Sequence, residues 1–118
     1  MLVKILKNHL GMRKRRKQKA KDTGATVMGV AWYRRDQWDR LLEISSDRAE
    51  LEDTYDEWKA VAEENLVNLA QHGYELCKVQ IDVEVLLIWC NSQNRAVDGD
   101  ARTEFTVMKL RESNQERL

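Results

Sequence analysis

This chain of 118 residues contains few of the groups that enzymes use for catalysis or for binding nucleotides. It has only two histidines, His9 and His72, and its five glycines form neither GxxxxGK[ST] nor GxGxxG, the patterns that cradle phosphates. His72 directly precedes Gly73 and is better explained as a partner for the negative end of a helix dipole than as a base. Because catalysis needs positioned acids, bases and nucleophiles, the sequence favours a non-enzyme with no catalytic and no cofactor-binding residue. A deep polar cleft would reopen the enzyme interpretation.

Metal-binding patterns are also missing. The two cysteines, Cys77 and Cys90, belong to no CxxC pair and no HxxxH is present, which argues against a zinc site. Both lie among apolar residues with no signal peptide ahead of them, so reduced buried thiols are favoured over a disulfide. The DGD at 98–100 suggests a calcium loop only weakly, since Arg102 takes the next alternate position. The acids at 53–57 are typical of a helix start, so no metal ligand is expected.

Long apolar runs and proline are absent as well. The most apolar stretch, residues 83–90, is far shorter than the roughly 18 residues of a membrane-spanning helix, so no span is expected. At the N-terminus the basic residues follow the apolar ones, which is the reverse of a secretory signal and predicts a cytoplasmic location. No interdomain linker interrupts the rest, and residues 28–118 are predicted to form a single domain.

The net charge of zero hides two oppositely charged regions. Residues 1–27 contain nine Lys or Arg and one Asp, a charge of +8, while residues 28–118 contain eleven Lys or Arg and nineteen acids, a charge of −8. The basic region is predicted to be a disordered tail, or to precede a true start at Met28. Because the acidic domain repels phosphates, nucleic acid is expected to bind only through the basic arm, if at all.

Periodicity predicts an α+β domain, mainly helical, with the order βααβαα and a small sheet covered on one side by helices. Strands are predicted over residues 28–33 and 74–81. Helices are predicted over residues 34–45, 54–73, 83–92 and 99–112, with residues 113–118 fraying. Residues 48–54 either start the central helix early or contain a break or a 3₁₀ turn near Asp53.

The central helix, residues 54–73, has the clearest signals. Thr54 and Glu57 have the spacing of a capping box, and Gly73 is suited to the left-handed conformation that ends a helix. One face gathers apolar residues at intervals of three or four: Tyr55, Trp58, Ala62, Leu66 and Leu69. Trp58 is therefore predicted to lie at the centre of the core.

Four tryptophans and an apolar helix suggest how the protein acts. The helix at 83–92 is apolar around nearly its whole circumference, so it is buried deeply or lies in an interface. A domain of about ninety residues is expected to leave part of this surface uncovered, although an ordinary core would explain it too. The favoured function is a protein-binding or homo-oligomerising module. Weak, sequence-independent nucleic-acid binding through the basic arm is the alternative.

Four blocks, WYRRDQW, TYDEW, IDVEVLLIWC and VDGDAR, give the chain a resemblance to a family of small hypothetical bacterial proteins. Similar blocks occur there in the same order, and the resemblance covers about residues 28–108. It implies a start at Met28 and a bacterial cytosolic setting. Since the family has no assigned activity, it implies no functional residue.

Overall fold

The computed structural model describes residues 27–116. Within this part of the chain, two strands and four α-helices follow one another in the predicted order βααβαα. The strands are β1 (Val27–Trp32) and β2 (Glu75–Gln80), and the helices are α1 (Trp38–Ile44), α2 (Tyr55–Gln71), α3 (Val83–Ser92) and α4 (Gly99–Glu116). The prediction of a mainly helical α+β fold with a small sheet is confirmed. Apart from Val27, the predicted basic tail at 1–27 lies outside the described residues.

Helix α2 has the ends that its sequence predicts. The Glu57 N–H donates to Thr54 Oγ1 at 3.1 Å, and the Thr54 N–H donates to Glu57 Oε1 at 3.2 Å, which completes the capping box. Gly73 follows the helix with a φ of +88°, in the left-handed region that favours glycine. On the predicted apolar face Trp58, Ala62 and Leu69 are buried. Local sequence therefore determines both ends of this helix and its inward face.

One predicted boundary of the first half is wrong, and the structure decides between the two alternatives left open for residues 48–54. The helix expected at 34–45 is divided into a 3₁₀ turn at Arg35–Gln37 and the shorter α1. The division falls at Gln37, whose side-chain oxygen accepts a hydrogen bond from the Val83 N–H at 3.0 Å, a contact between residues 46 apart. A separate 3₁₀ turn at Arg48–Glu50 precedes α2, so the central helix does not start early.

Helix α4 also departs from its prediction, but at its end. It begins as expected, because the Ala101 N–H donates to Asp98 Oδ1 at 2.9 Å. It then continues to Glu116, so the expected fraying is wrong for residues 113–116. No proline or glycine occurs in that stretch, and nothing in the local sequence stops the helix at Glu112.

The two strands pair in parallel, from Val27 opposite Glu75 to Trp32 opposite Gln80. A parallel pair needs a long crossover, and α1 and α2 provide it. Helices cover both faces of β1, so the expectation of a one-sided cover is wrong. On one face Gly29 allows α4 to approach so closely that a Cβ there would lie 3.1 Å from Leu110 Cδ2. On the other face the Trp32 ring lies 5.0 Å from the ring of Trp58 on α2.

The core is built around an aromatic cluster. The ring of Trp58 lies 5.4 Å from those of Tyr33, Trp38 and Tyr55 and is itself fully buried. Trp32 and Trp38 are buried as well, so the domain encloses three of its four indoles. Only Trp89, on α3, remains half-buried. The large apolar side chains left uncovered are therefore Val85 and Ile88 of α3 and Val67 of α2 rather than the tryptophans as a group.

Candidate interaction surfaces

His72 and the two cysteines, Cys77 and Cys90, are the described residues whose chemistry could serve catalysis or metal binding. His72 lies at the end of α2 with Nδ1 2.7 Å from the Asn68 carbonyl oxygen, as expected of a helix-end residue. Cys90 is buried, and burial raises the pKa of its thiol above the usual value, which disfavours the reactive thiolate. Cys77 is half-buried on β2. Among residues 27–116, no group of three His, Cys, Asp or Glu side chains could hold a metal ion.

A buried arginine is the most unusual polar feature, and the sequence interpretation missed it. The side chain of Arg102 on α4 is fully buried. Its Nη1 donates to Ser45 Oγ at 3.1 Å, and its Nη2 donates to Asp47 Oδ2 at 2.5 Å. Burial raises the pKa of the nearby Tyr33 phenol, and the Arg102 charge opposes that rise. The network ties α4 to the turn after α1 and is closed to solvent, so its role is structural.

Helical spacing contained a signal for this arginine. Ala101 and Phe105 are apolar, lie one turn apart and are buried, and Arg102 lies one residue after the first and three before the second. A charged residue in such a position must be paired when it is buried. The partners, Ser45 and Asp47, are more than fifty positions away along the chain and could not be identified from spacing alone.

The first exposed surface is the outer side of α3. Val85 is 40% exposed and Ile88 is 66% exposed, and they lie one turn apart on the same helix. We call these two residues the α3 strip. Val83, Leu86 and Cys90 on the opposite side of the helix are buried. The all-round apolar helix is therefore covered on one side only, by α1 and α4.

Charges beside the α3 strip are balanced within the chain. Glu84 precedes Val85 and accepts hydrogen bonds from Arg40 of α1, with Nε 2.7 Å from Oε2 and Nη2 3.3 Å from Oε1. Asn91 and Ser92, one turn after Ile88, are exposed and uncharged. A surface that approaches the strip therefore meets no uncompensated charge at Glu84.

The second exposed surface is the outer edge of β2. The Ile81 N–H donates to the Trp32 carbonyl at 3.0 Å, so Ile81 faces β1. Since successive residues of a strand direct their backbone groups to opposite sides, Leu76, Lys78 and Gln80 face away from β1. We call their outward N–H and C=O groups the open edge. The described sheet contains only β1 and β2, so no further strand in residues 27–116 covers it.

No helix within residues 27–116 is long and apolar enough to cross a bilayer. No family model matches the chain, and neither a curated protein nor a solved structure does. The resemblance to small bacterial proteins therefore stays a prediction. Any functional conclusion depends on the surfaces described above.

Proposed function

We propose that the protein is a non-catalytic module that associates with a second copy of itself through the α3 strip. The exposure of Ile88, beside Val85 on an otherwise covered helix, is the observation that carries this proposal. Burial of apolar surface lowers the free energy by roughly 25 cal/mol per Å², and these two neighbouring branched side chains do not gain that stabilisation while they face water. Contact with another apolar surface recovers that free energy. We further infer a cytoplasmic setting, supported by the order of charged and apolar residues at the N-terminus.

The α3 strip is a surface on which two copies can meet without repulsion between like charges. Residues 28–118 have a charge of −8, so two copies repel each other over most approaches. At the α3 strip the charge of Glu84 is already met by Arg40, and the next turn is uncharged. A two-fold axis beside Ile88 lets two antiparallel α3 helices bring both Ile88 side chains together, with Val85 toward Ser92 of the other copy. Because the strip is small, we expect association in the micromolar range.

The variant Ile88→Glu tests this contact. It places a carboxylate beside its symmetry-related copy at the axis, so the dissociation constant should rise by about tenfold or more, equivalent to roughly 1.4 kcal/mol. Sedimentation velocity or light scattering over a concentration series measures the change. Val67→Glu is the matched control, since Val67 is 57% exposed on α2, away from the strip. A protein that stays monomeric at high concentration, or equal effects of both substitutions, would contradict the proposal.

Nucleic-acid binding through residues 1–27 is the second candidate, and the charge of +8 in that segment favours it. The domain itself presents acids to solvent, including Glu63 and Glu64 on α2, which repel a phosphate backbone. The candidate therefore depends on the arm alone. Weak binding without sequence preference is the expected form.

Removing the arm separates the two candidates. A chain of residues 27–118 should unfold at the same denaturant concentration as the full chain, because β1 and the rest of the described core are retained. Any nucleic-acid binding should disappear, and the affinity of the full chain should fall steeply with salt. Anisotropy titrations of both chains at two salt concentrations measure this. Tight, sequence-selective binding by residues 27–118 would reverse our ranking.

A further inference from the structure

We propose that the open edge of β2 is a second contact surface, where a second copy of the chain adds its own β2 in antiparallel orientation. The two sheets then join into one sheet of four strands across a two-fold axis. This contact lies on a different element from the α3 strip and does not depend on it. It goes beyond the self-association proposed above, because two different two-fold contacts allow assembly past a dimer.

Backbone groups that pair with no other strand of the described sheet carry this inference, and the Lys78 carbonyl has only a weak contact from the Cys77 thiol, whose Sγ lies 3.8 Å away. Leu76, Lys78 and Gln80 each direct one N–H and one C=O group away from β1, and such edges pair readily with strands of other chains. Proteins often protect an open edge with an outward lysine. Here the Lys78 ammonium lies 4.1 Å from the centre of the Trp32 ring on β1, so it is drawn toward the covered side of the strand. The lysine therefore leaves the edge accessible.

The charges along β2 select both the partner and the register. The outward residues of two antiparallel copies face each other when the two-fold axis lies at Cys77 or at Lys78, the two positions nearest the middle of the strand. An axis at Lys78 puts two lysines directly opposite each other, which is unfavourable. An axis at Cys77 places Lys78 opposite Leu76 and Glu75 opposite Val79, so no like charges face each other directly. The strand is thus complementary to its own copy in that register.

This register makes a specific geometric prediction. Cys77 meets Cys77 of the other copy in a non-hydrogen-bonded pair, where the two Cα atoms lie about 4.5 Å apart. Disulfides span Cα separations of about 4.4 to 6.8 Å, so the two thiols can be cross-linked without moving the backbone. Cys77 is half-buried and unpaired with another cysteine, whereas Cys90 is buried in the core. Cys77 therefore reports on this contact.

Oxidative cross-linking of the full chain tests the register. Diamide, which accepts the two electrons and two protons released by two thiols, should give a covalent dimer in the Ile88→Glu variant as well as in the unaltered chain. Cys77→Ser should abolish the covalent dimer, and Cys90→Ser should retain it. A dimer that persists in Cys77→Ser, or no dimer at concentrations where the chain associates, overturns the register. Loss of the covalent dimer in Ile88→Glu, when the unaltered chain forms it, overturns the independence of the two surfaces. An Ile88→Glu variant that associates less than the unaltered chain and still forms the covalent dimer supports both contacts.

Hydrogen exchange tests the strand pairing without cysteine chemistry. The amides of Leu76 and Lys78, which lie opposite each other in this register, should exchange at least about tenfold more slowly at high than at low protein concentration. Those of Cys77 and Val79, which face β1, should be protected at both concentrations. Lys78→Pro, which removes the central outward donor, should abolish cross-linking, whereas Lys78→Ala should retain it. If the outward amides exchange rapidly at every concentration, the proposal is overturned. This outcome does not depend on whether Lys78→Pro folds.

Discussion

Trp58→Ala should lower the free energy of unfolding by about 3 to 5 kcal/mol, as truncation of large aromatic residues in cores does. Trp58 is fully buried and its ring contacts those of Trp32, Tyr33, Trp38 and Tyr55. Each such aromatic pair contributes about 0.5 to 1.5 kcal/mol beyond burial alone. Because a small domain has a total stability of about 5 to 15 kcal/mol, the variant should be only marginally folded.

Urea melts followed by circular dichroism measure this loss without relying on tryptophan fluorescence. Val67→Ala is the control on the same helix, and its exposed side chain should change stability by no more than about 0.5 kcal/mol. Trp58→Phe should cost less than Trp58→Ala, since it keeps an aromatic ring. It also removes a buried indole N–H that has no hydrogen-bond acceptor among the described residues. A loss below about 1 kcal/mol for Trp58→Ala would show that the cluster is not the centre of the core.

Arg102→Met should destabilise the protein by a comparable amount, about 3 to 5 kcal/mol, because it breaks a buried ion pair from one side. Methionine fills much of the space of the arginine side chain but leaves the Asp47 carboxylate, whose side chain is only 10% exposed, without its guanidinium partner. The Ser45 hydroxyl loses a donor at the same time. The turn after α1 should therefore detach from α4 more readily than the rest of the fold unfolds.

A second arginine provides a matched control. Arg95 pairs with Glu104 at 2.9 Å, but the Glu104 side chain is 59% exposed, so Arg95→Met should cost less than about 1 kcal/mol. Adding Asp47→Asn to Arg102→Met should recover part of the loss, since the carboxylate that has lost its guanidinium partner is then replaced by a neutral amide. Equal destabilisation by Arg95→Met and Arg102→Met, or no recovery in the double variant, would mean that the buried pair is not the source of the effect.

The helix ends show how much local sequence determines. Thr54, Asp82 and Asp98 cap the N-termini of α2, α3 and α4, and Gly73 closes α2. Each signal operates within one turn, so its effect does not depend on the rest of the fold. The lengths of α1 and α4 were less predictable, because α1 is shortened where Gln37 contacts Val83 and α4 has no local stop signal.

The exposed surfaces depended on packing. Apolar residues occupy most of the circumference of α3, and the polar Glu84, Asn91 and Ser92 are only a weak sequence signal that Ile88, unlike Leu86, faces water. The position of α3 against α1 and α4 makes that distinction. Similarly, the alternation in residues 74–81 predicted a strand, but only the parallel pairing with β1 identifies which of its backbone groups remain open.

The sequence by itself determined the order of the elements, the caps of the helices, the inward face of α2 and the division of charge between the two ends of the chain. These properties follow from neighbouring residues or from composition. The tertiary structure decided the parallel register, the burial of Arg102 against Asp47 and the side of α3 that faces water. Each of these depends on contacts between residues far apart in the chain. The local preferences alone are compatible with several arrangements of the same helices and strands, and packing of the whole core selects one of them.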